Sequence, residues 1–429
     1  MQRTEDARTK FDAALIKQIT KGTCLRNNHV RVFQKVWKGS TMTMQKKYLM
    51  TPGPTPVPAE ILLTMARPMV HHRTPDFSAA FRNAIEGLKY IFETKESDVL
   101  LFASSGTGVM ESAIVNCFSA GDRVIVARNG KFGDRQRQIC EAYGVEVIDM
   151  AYEWTETVKM ADVKAKLEEE FAAGRKIAGV IVTQSETSTG VLNDVKALGA
   201  IVKEYEDTIL IVDSITGIGA VECKTDEWGL DVVMTGSQKG LMLPPGLAAV
   251  TVSPKAWRAA ERSTLPKFYF DWKKYKKSVD KDTTPFTPAV SLILGLNEAV
   301  KMIREEGIEN TIARHSKLAE ATRKGCEALG LELFAPADGR GSAVTPVWVP
   351  EGIDGKEIVS VLKKRYGVTI AGGQDHLVGK IIRIGHLGYF GEFDIITTLS
   401  ALEMTLAGLG YEFERGAGIK AAEAVFMGE

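Results

Sequence analysis

Between residues 78 and 252 the chain alternates short apolar runs with longer amphipathic stretches, and this rhythm constrains the fold more than any other feature. The runs fall at 98–103, 123–127, 145–149, 178–183, 208–212, 231–234 and 247–252, and helical spacing occupies about 78–94, 106–118, 133–143, 158–172 and 194–205. Short runs that are apolar at nearly every position suit strands covered on both faces, and the intervening helices supply the covers. The pattern predicts βαβ units and a mostly parallel seven-stranded sheet, an α/β domain over residues 45–290. Past residue 290 the rhythm changes. Long helices at about 291–306 and 310–329, strands near 344–349 and 380–384, and a terminal helix near 393–408 predict a smaller α+β domain over 291–429.

Ligands of open α/β sheets bind at the carboxyl ends of strands, and three such ends here carry suggestive residues. The run before Thr235-Gly-Ser-Gln-Lys-Gly-Leu-Met-Leu-Pro-Pro-Gly246 leads into Lys239 among small residues and a double proline. A lone lysine is more often a snorkelling surface residue. A buried one needs its charge used or lost, and a desolvated amine is a nucleophile towards aldehydes. Ile209-Leu-Ile-Val212 delivers Asp213 at its end, and Val99-Leu-Leu-Phe102 leads into Ala103-Ser-Ser-Gly-Thr-Gly108, where Ser105, Gly106 and Thr107 open a helix. A helix N-terminus of small residues suits a phosphate. Phosphate site, carboxylate and lysine in this chain order suit pyridoxal phosphate (PLP), whose lysine imine is tuned by an acid at the ring nitrogen.

Arg383 lies in the apolar segment Ile381-Ile-Arg-Ile-Gly-His-Leu-Gly388 and cannot deprotonate, so it calls for an anionic partner. A structural ion pair and a substrate carboxylate are both open on the residues alone. His71-His72 lacks a third ligand at metal spacing, so no metal site is expected. His386 reads as a packing residue.

From about Tyr48 to Gly410 the chain resembles the class V, fold-type I, PLP-dependent aminotransferases, and among them the alanine–glyoxylate, serine–glyoxylate and serine–pyruvate enzymes. The segments that carry the resemblance are TPGPTPVP, SSGTG, ETSTGV, VDSITG, TGSQKG, FYFDW and RIGHLG. It implies Lys239 as cofactor lysine and proton carrier, with Asp213 at the ring nitrogen. Phe132, which from sequence alone reads rather as ordinary core, would stack on the ring. Thr187 would meet the phenolic oxygen, Gln238 the phosphate, and Thr287 the phosphate of a partner subunit, so a homodimer is expected. One phosphate contact is weakened, because some relatives have a tyrosine where this chain has Thr284. Gly53 and Arg383 would meet the substrate, Arg383 through its α-carboxylate. The implied reaction is ping-pong transfer from alanine or serine to glyoxylate or pyruvate. A 2-aminoethylphosphonate aminotransferase, a cysteine desulfurase-like lyase with Cys326, and a non-catalytic PLP-binding protein are the alternatives.

Composition narrows the partners. Lys plus Arg and Asp plus Glu number 54 each, so nothing global points to nucleic acid. The patch after Phe268-Tyr-Phe-Asp-Trp272 is too short to change that. No apolar run reaches the roughly 20 residues that span a bilayer. Five cysteines without metal spacing fit a reducing compartment, read as the cytoplasm. Residues 1–44 stand apart as a basic extension with nine Lys/Arg against three Asp/Glu, expected to be weakly structured.

Overall fold

The computed structural model describes residues 44–429, so the basic extension lies outside the described residues but for Met44. The seven apolar runs form β1 (Asp98–Phe102), β2 (Arg123–Arg128), β3 (Glu146–Ala151), β4 (Gly179–Thr183), β5 (Ile209–Asp213), β6 (Val232–Gly236) and β7 (Ala248–Val252). They make one sheet in the order β1-β7-β6-β5-β4-β2-β3. Only β7 runs antiparallel to its neighbours. The inner strands β4 and β5 are buried at all five positions, whereas the edge strand β3 is partly exposed along its length.

Successive side chains of a strand face opposite ways, and the two faces sort accordingly. Leu101, Val180, Val212 and Val233 pack on one side, beneath helices α1 (Pro75–Ile91) and α4 (Val290–Glu306). Phe102, Ile181, Ile211 and Met234 pack on the other, with α2 (Gly106–Cys117). Helix α3 (Lys131–Ala142) follows β2. Strands β8 (Val344–Trp348), β9 (Ala371–Gly372) and β10 (Ile381–Gly385) form a second, antiparallel sheet with β10 in the middle. Its core joins Val347, Ile382 and Ile384 to Leu318 of α5 (Ile308–Ala328) and Leu399 of α6 (Glu392–Gly408). No described helix is long and apolar enough to cross a membrane.

The proline-punctuated arm connects the two sheets. Tyr48–Leu49 pairs in parallel with Val368–Thr369, and the Gly385 N–H donates to the Met50 carbonyl at 2.8 Å. Five residues on, the Thr55 N–H donates to the Gln238 carbonyl at 3.2 Å. The arm therefore ties the end of β10 to the turn that holds Lys239.

A last helix, α7 (Ala417–Met427), was not expected from the sequence, because its small residues give a weak amphipathic signal. It packs on α5, and its start is held by the buried Glu403, which accepts from the N–H groups of Gly416 (2.8 Å), Gly418 (3.1 Å) and Ile419 (3.4 Å). A carboxylate there satisfies donors that have no intrahelical acceptor. Glu403→Ala is expected to cost about 1–3 kcal/mol in denaturant unfolding and to open residues 410–416 to limited proteolysis; wild-type stability would show that the contact contributes nothing.

Candidate active site

The carboxyl ends of β1, β2, β4, β5 and β6 meet at one edge of the large sheet. Gly53, Ser105, Gly106, Thr107, Phe132, Thr187, Asp213, Gln238 and Lys239, which the sequence singles out, all line one cavity there of about 270 Å³.

Lys239 is 8% exposed, and its Nζ donates to the Pro52 carbonyl at 2.6 Å. Burial pushes the amine down to about 8; the Asp213 carboxylate pulls the other way and Arg383 adds to the fall. The arm fits over the amine only because residue 53 is glycine. Its φ is +135°, and a Cβ there would run into the Lys239 side chain. Asp213 is buried, accepts the Ile215 N–H at 3.0 Å, and is pushed by burial up to about 7, with the Ile215 bond and Lys239 opposing.

Ser105 caps α2 by accepting the Gly108 N–H at 3.3 Å, and the remaining first-turn N–H groups have no acceptor within the helix. Gln238 Oε1 and Thr183 Oγ1 are buried beside the same cavity without a hydrogen-bond partner among the described residues. Thr187 and Thr216 share a hydroxyl–hydroxyl bond of 2.9 Å. These groups match PLP part by part: a helix N-terminus and the N–H donors of the Gln238 amide for a phosphate, a carboxyl for a ring nitrogen, hydroxyls for a phenolic oxygen, an amine for an aldehyde.

Arg383 enters from the second sheet. It is 7% exposed, with Nε donating to the Gly372 carbonyl at 2.8 Å and Nη1 to the Thr187 carbonyl at 2.7 Å. Gln374 Oε1 stands 3.5 Å from the same Nη1. No carboxylate pairs with Arg383 among the described residues, so the structural ion pair left open by the sequence is not made. Burial lowers its pKa to about 10, and Glu186 is the one charge opposing that fall.

Thr287 stands apart from this cavity. Within its own chain it lines a separate small pocket with Tyr269, Thr284 and Phe286. His386 is buried, with Nδ1 2.8 Å from the Ser342 carbonyl and Nε2 2.9 Å from the Thr345 hydroxyl. His71 and His72 lie ring against ring, and no group of three or more metal-ligating side chains occurs among the described residues. Cys326 is buried inside α5, and burial holds its thiol up at about 12, the opposite of a reactive cysteine.

Two residues of the site escaped the sequence reading. Arg135 lines the cavity, donates to the Thr107 hydroxyl at 3.2 Å and lies 4.8 Å from the centre of the Phe132 ring. Its only signal was its place one turn beyond Phe132. Glu186, in the quoted run ETSTGV, is buried behind Phe132.

A buried lysine amine, a buried carboxyl and a helix N-terminus at the carboxyl ends of a mostly parallel sheet fit a PLP-dependent enzyme. Residues 47–387 match the family described as Aminotransferase class-V, and the chain belongs to that family. It is 48% identical over 381 residues (89% of this chain, 98% of the relative) to a protein of Synechococcus sp. (strain PCC 6716) named soluble hydrogenase, small subunit. It is 39% identical over 386 residues (89% and 96%) to the L-aspartate–glyoxylate aminotransferase of Paracoccus denitrificans. The crystal structure of ureidoglycine–glyoxylate aminotransferase from Bacillus subtilis matches with a TM-score of 0.85 at 29% identity, covering 90% of this chain and 100% of that one. The protein is thus a PLP-dependent aminotransferase that takes amino acid and 2-oxo acid substrates.

The raised Asp213 pKa has a measurable consequence without the cofactor. A carboxyl raised from 3.8 to about 7 contributes stability that is complete below pH 4 and lost as pH rises through 7. Asp213→Asn should therefore raise the melting temperature of the cofactor-free protein at pH 8 and change it little at pH 4. Equal shifts at both pH values would contradict this assignment.

Proposed function

We propose that the chain transfers the amino group of alanine or serine to glyoxylate or pyruvate through two half-reactions that share one site. The observation that carries this reading is Arg383, a buried guanidinium with only carbonyl partners among the described residues, beside Thr187 of the Lys239 cavity. Its planar fork suits a carboxylate held by two parallel bonds. Amino and oxo acids both carry an α-carboxylate, so one arginine serves both directions.

In this reading Lys239 would hold the cofactor, and its amine, once free, would take the substrate Cα proton as base and give it up again as acid. A pKa of about 8 suits both tasks, because the amine is partly neutral near physiological pH. When bound, PLP supplies the electron sink for the Cα carbanion. Ser105, Gly106, Thr107 and Gln238 would hold its phosphate, Phe132 its ring face, Thr187 its phenolic oxygen and Asp213 its ring nitrogen.

Thr287, outside its own chain's cavity, would complete the phosphate site of a second copy in a homodimer. An exposed aromatic face beside it supports this: Phe268 is 73% exposed and packs on Phe286. The free, buried thiols of the described cysteines support a cytoplasmic location.

Glyoxylate as acceptor is supported by the named aminotransferase relatives. A short donor is supported by the cavity, whose 270 Å³ must take PLP as well as the substrate. One observation favours aspartate instead: Arg135 is a second cation on the same cavity. A panel of alanine, serine, aspartate and 2-aminoethylphosphonate against glyoxylate, pyruvate and 2-oxoglutarate separates these. Alanine or serine with glyoxylate should give the highest kcat/KM; preference for aspartate, 2-aminoethylphosphonate or 2-oxoglutarate would overturn the substrate assignment.

Arg383→Lys keeps the charge and loses the fork. Loss of one charge-assisted bond, about 1.5–3 kcal/mol, should lower kcat/KM by roughly 10- to 150-fold for amino acid and oxo acid alike, with cofactor binding retained. A lowered melting temperature with unchanged kinetics in both half-reactions would instead mark Arg383 as structural.

A further inference from the structure

Glu186 is a fully buried carboxylate between the loop after β4 and the start of α3. One oxygen accepts from the N–H groups of Phe132 (2.9 Å) and Gly133 (3.1 Å), and the other from the Ser188 N–H (3.1 Å) and hydroxyl (2.6 Å). The Ser188 hydroxyl, its proton directed at Glu186, accepts in turn from the Lys131 N–H at 3.0 Å. Gly130 passes so close that a Cβ there would collide with the Glu186 side chain. Three of the four donors are backbone N–H groups that cannot accept a carboxyl proton, and only the Ser188 hydroxyl oxygen could, so the arrangement favours the ionised form.

Burial pushes the Glu186 carboxyl up, and the Ser188, Gly133 and Phe132 bonds oppose it. The charged groups that feel Glu186 come from three other elements. Its charge favours the protonated forms of Arg383 on β10 and Lys239 after β6, and it raises Asp213 at the end of β5. A backbone path runs alongside the field: Thr187, the next residue, gives its carbonyl to Arg383 and its hydroxyl to the cavity.

We propose that Glu186 is a positioning residue of this reaction: its carboxylate fixes the Phe132 and Thr187 walls of the cavity to each other and stands as the counter-charge of Arg383 until a substrate carboxylate arrives. The proposal rests on reading Arg383 as the carboxylate site. A standing anion keeps the guanidinium stable in the empty site, and it also weakens the grip on a bound carboxylate. Both half-reactions must release a carboxylic acid, so a moderated grip assists turnover.

The test uses acetate, the smallest carboxylate probe, with the holoenzyme and the variants Glu186→Gln and Glu186→Asp. The Gln amide can keep its oxygen on Phe132 and Gly133 and donate to the Ser188 hydroxyl oxygen, so the Ser188 N–H and O–H lose the acceptor they share. Acetate should then compete with the donor amino acid roughly threefold to tenfold more tightly, the effect of removing one nearby like charge. Glu186→Asp, which keeps the charge, should stay within about twofold of wild type. The same order should appear in the acetate-induced rise in melting temperature of the cofactor-free proteins. A Gln variant that melts lower but binds acetate no more tightly would overturn the proposal and leave the Arg383 reading standing. No acetate competition in the wild-type enzyme would overturn the Arg383 reading and this one with it. A neutron structure of the wild-type protein needs no variant: both Glu186 oxygens should be free of a deuteron at neutral pH, and a deuterated carboxyl would overturn the proposal even if Glu186→Gln does not fold.

Discussion

The structure depends on one unfavourable placement, the burial of the Lys239 amine. An ammonium in a low-dielectric interior is costly, and proteins meet that cost by pairing the charge or letting the proton go. Lys239 does some of each. The Pro52 carbonyl takes a hydrogen bond, the nearby Asp213 carboxylate favours the charged form, and burial with Arg383 drives the pKa down. The amine sits between protonation states near neutral pH, as an imine-forming lysine that also carries protons requires. Asp213 is displaced in the opposite sense by the same burial. Acid and base are poised by environments that push their pKa values towards each other, a pattern that marks functional sites.

Holding that amine still takes segments from distant parts of the chain. The Thr55 hydroxyl donates to the Lys239 carbonyl at 3.2 Å. On the other side Gly388, at the end of RIGHLG, comes so near the same carbonyl that a Cβ would stand 3.0 Å from it. Gly388 is itself held by α5: its N–H donates to His315 Nε2 at 2.8 Å, and its carbonyl accepts from Arg314, which pairs with Glu306. Burial pushes His315 down to about 4, so it stays a neutral acceptor through the physiological range. The segment after β10, with α5, thus supports Lys239, and β10 itself supplies Arg383, so the two residues share one frame.

The large sheet was legible because its strands are buried on both faces and bounded by helices, which gives runs of unmixed apolar residues. Lys239, Asp213 and the Ser105–Thr107 turn were legible because strand ends are where such sheets place ligands. Three things were harder to see. Glu186 sits in a polar run whose composition reads as surface loop, and only its four donors, from positions 132, 133 and 188, show it to be interior. Arg135 carries no period or motif. Thr287 has a role only if a second chain supplies the cavity it lacks in its own. Each of these depends on contacts between residues far apart in sequence or in different copies, which local pattern does not encode. Arg383 was half legible: its need for an anion followed from burial, but the absence of a carboxylate partner among the described residues required coordinates.

The claim on which the rest turns is that Lys239 is the residue joined to the cofactor. Reduction of the holoenzyme with borohydride, followed by proteolysis and mass spectrometry, tests it directly. The account predicts that the phosphopyridoxyl mass is recovered on the peptide containing Lys239 and is absent from a Lys239→Ala variant. Recovery on a different lysine, or no covalent adduct in an enzyme that turns over, would contradict it.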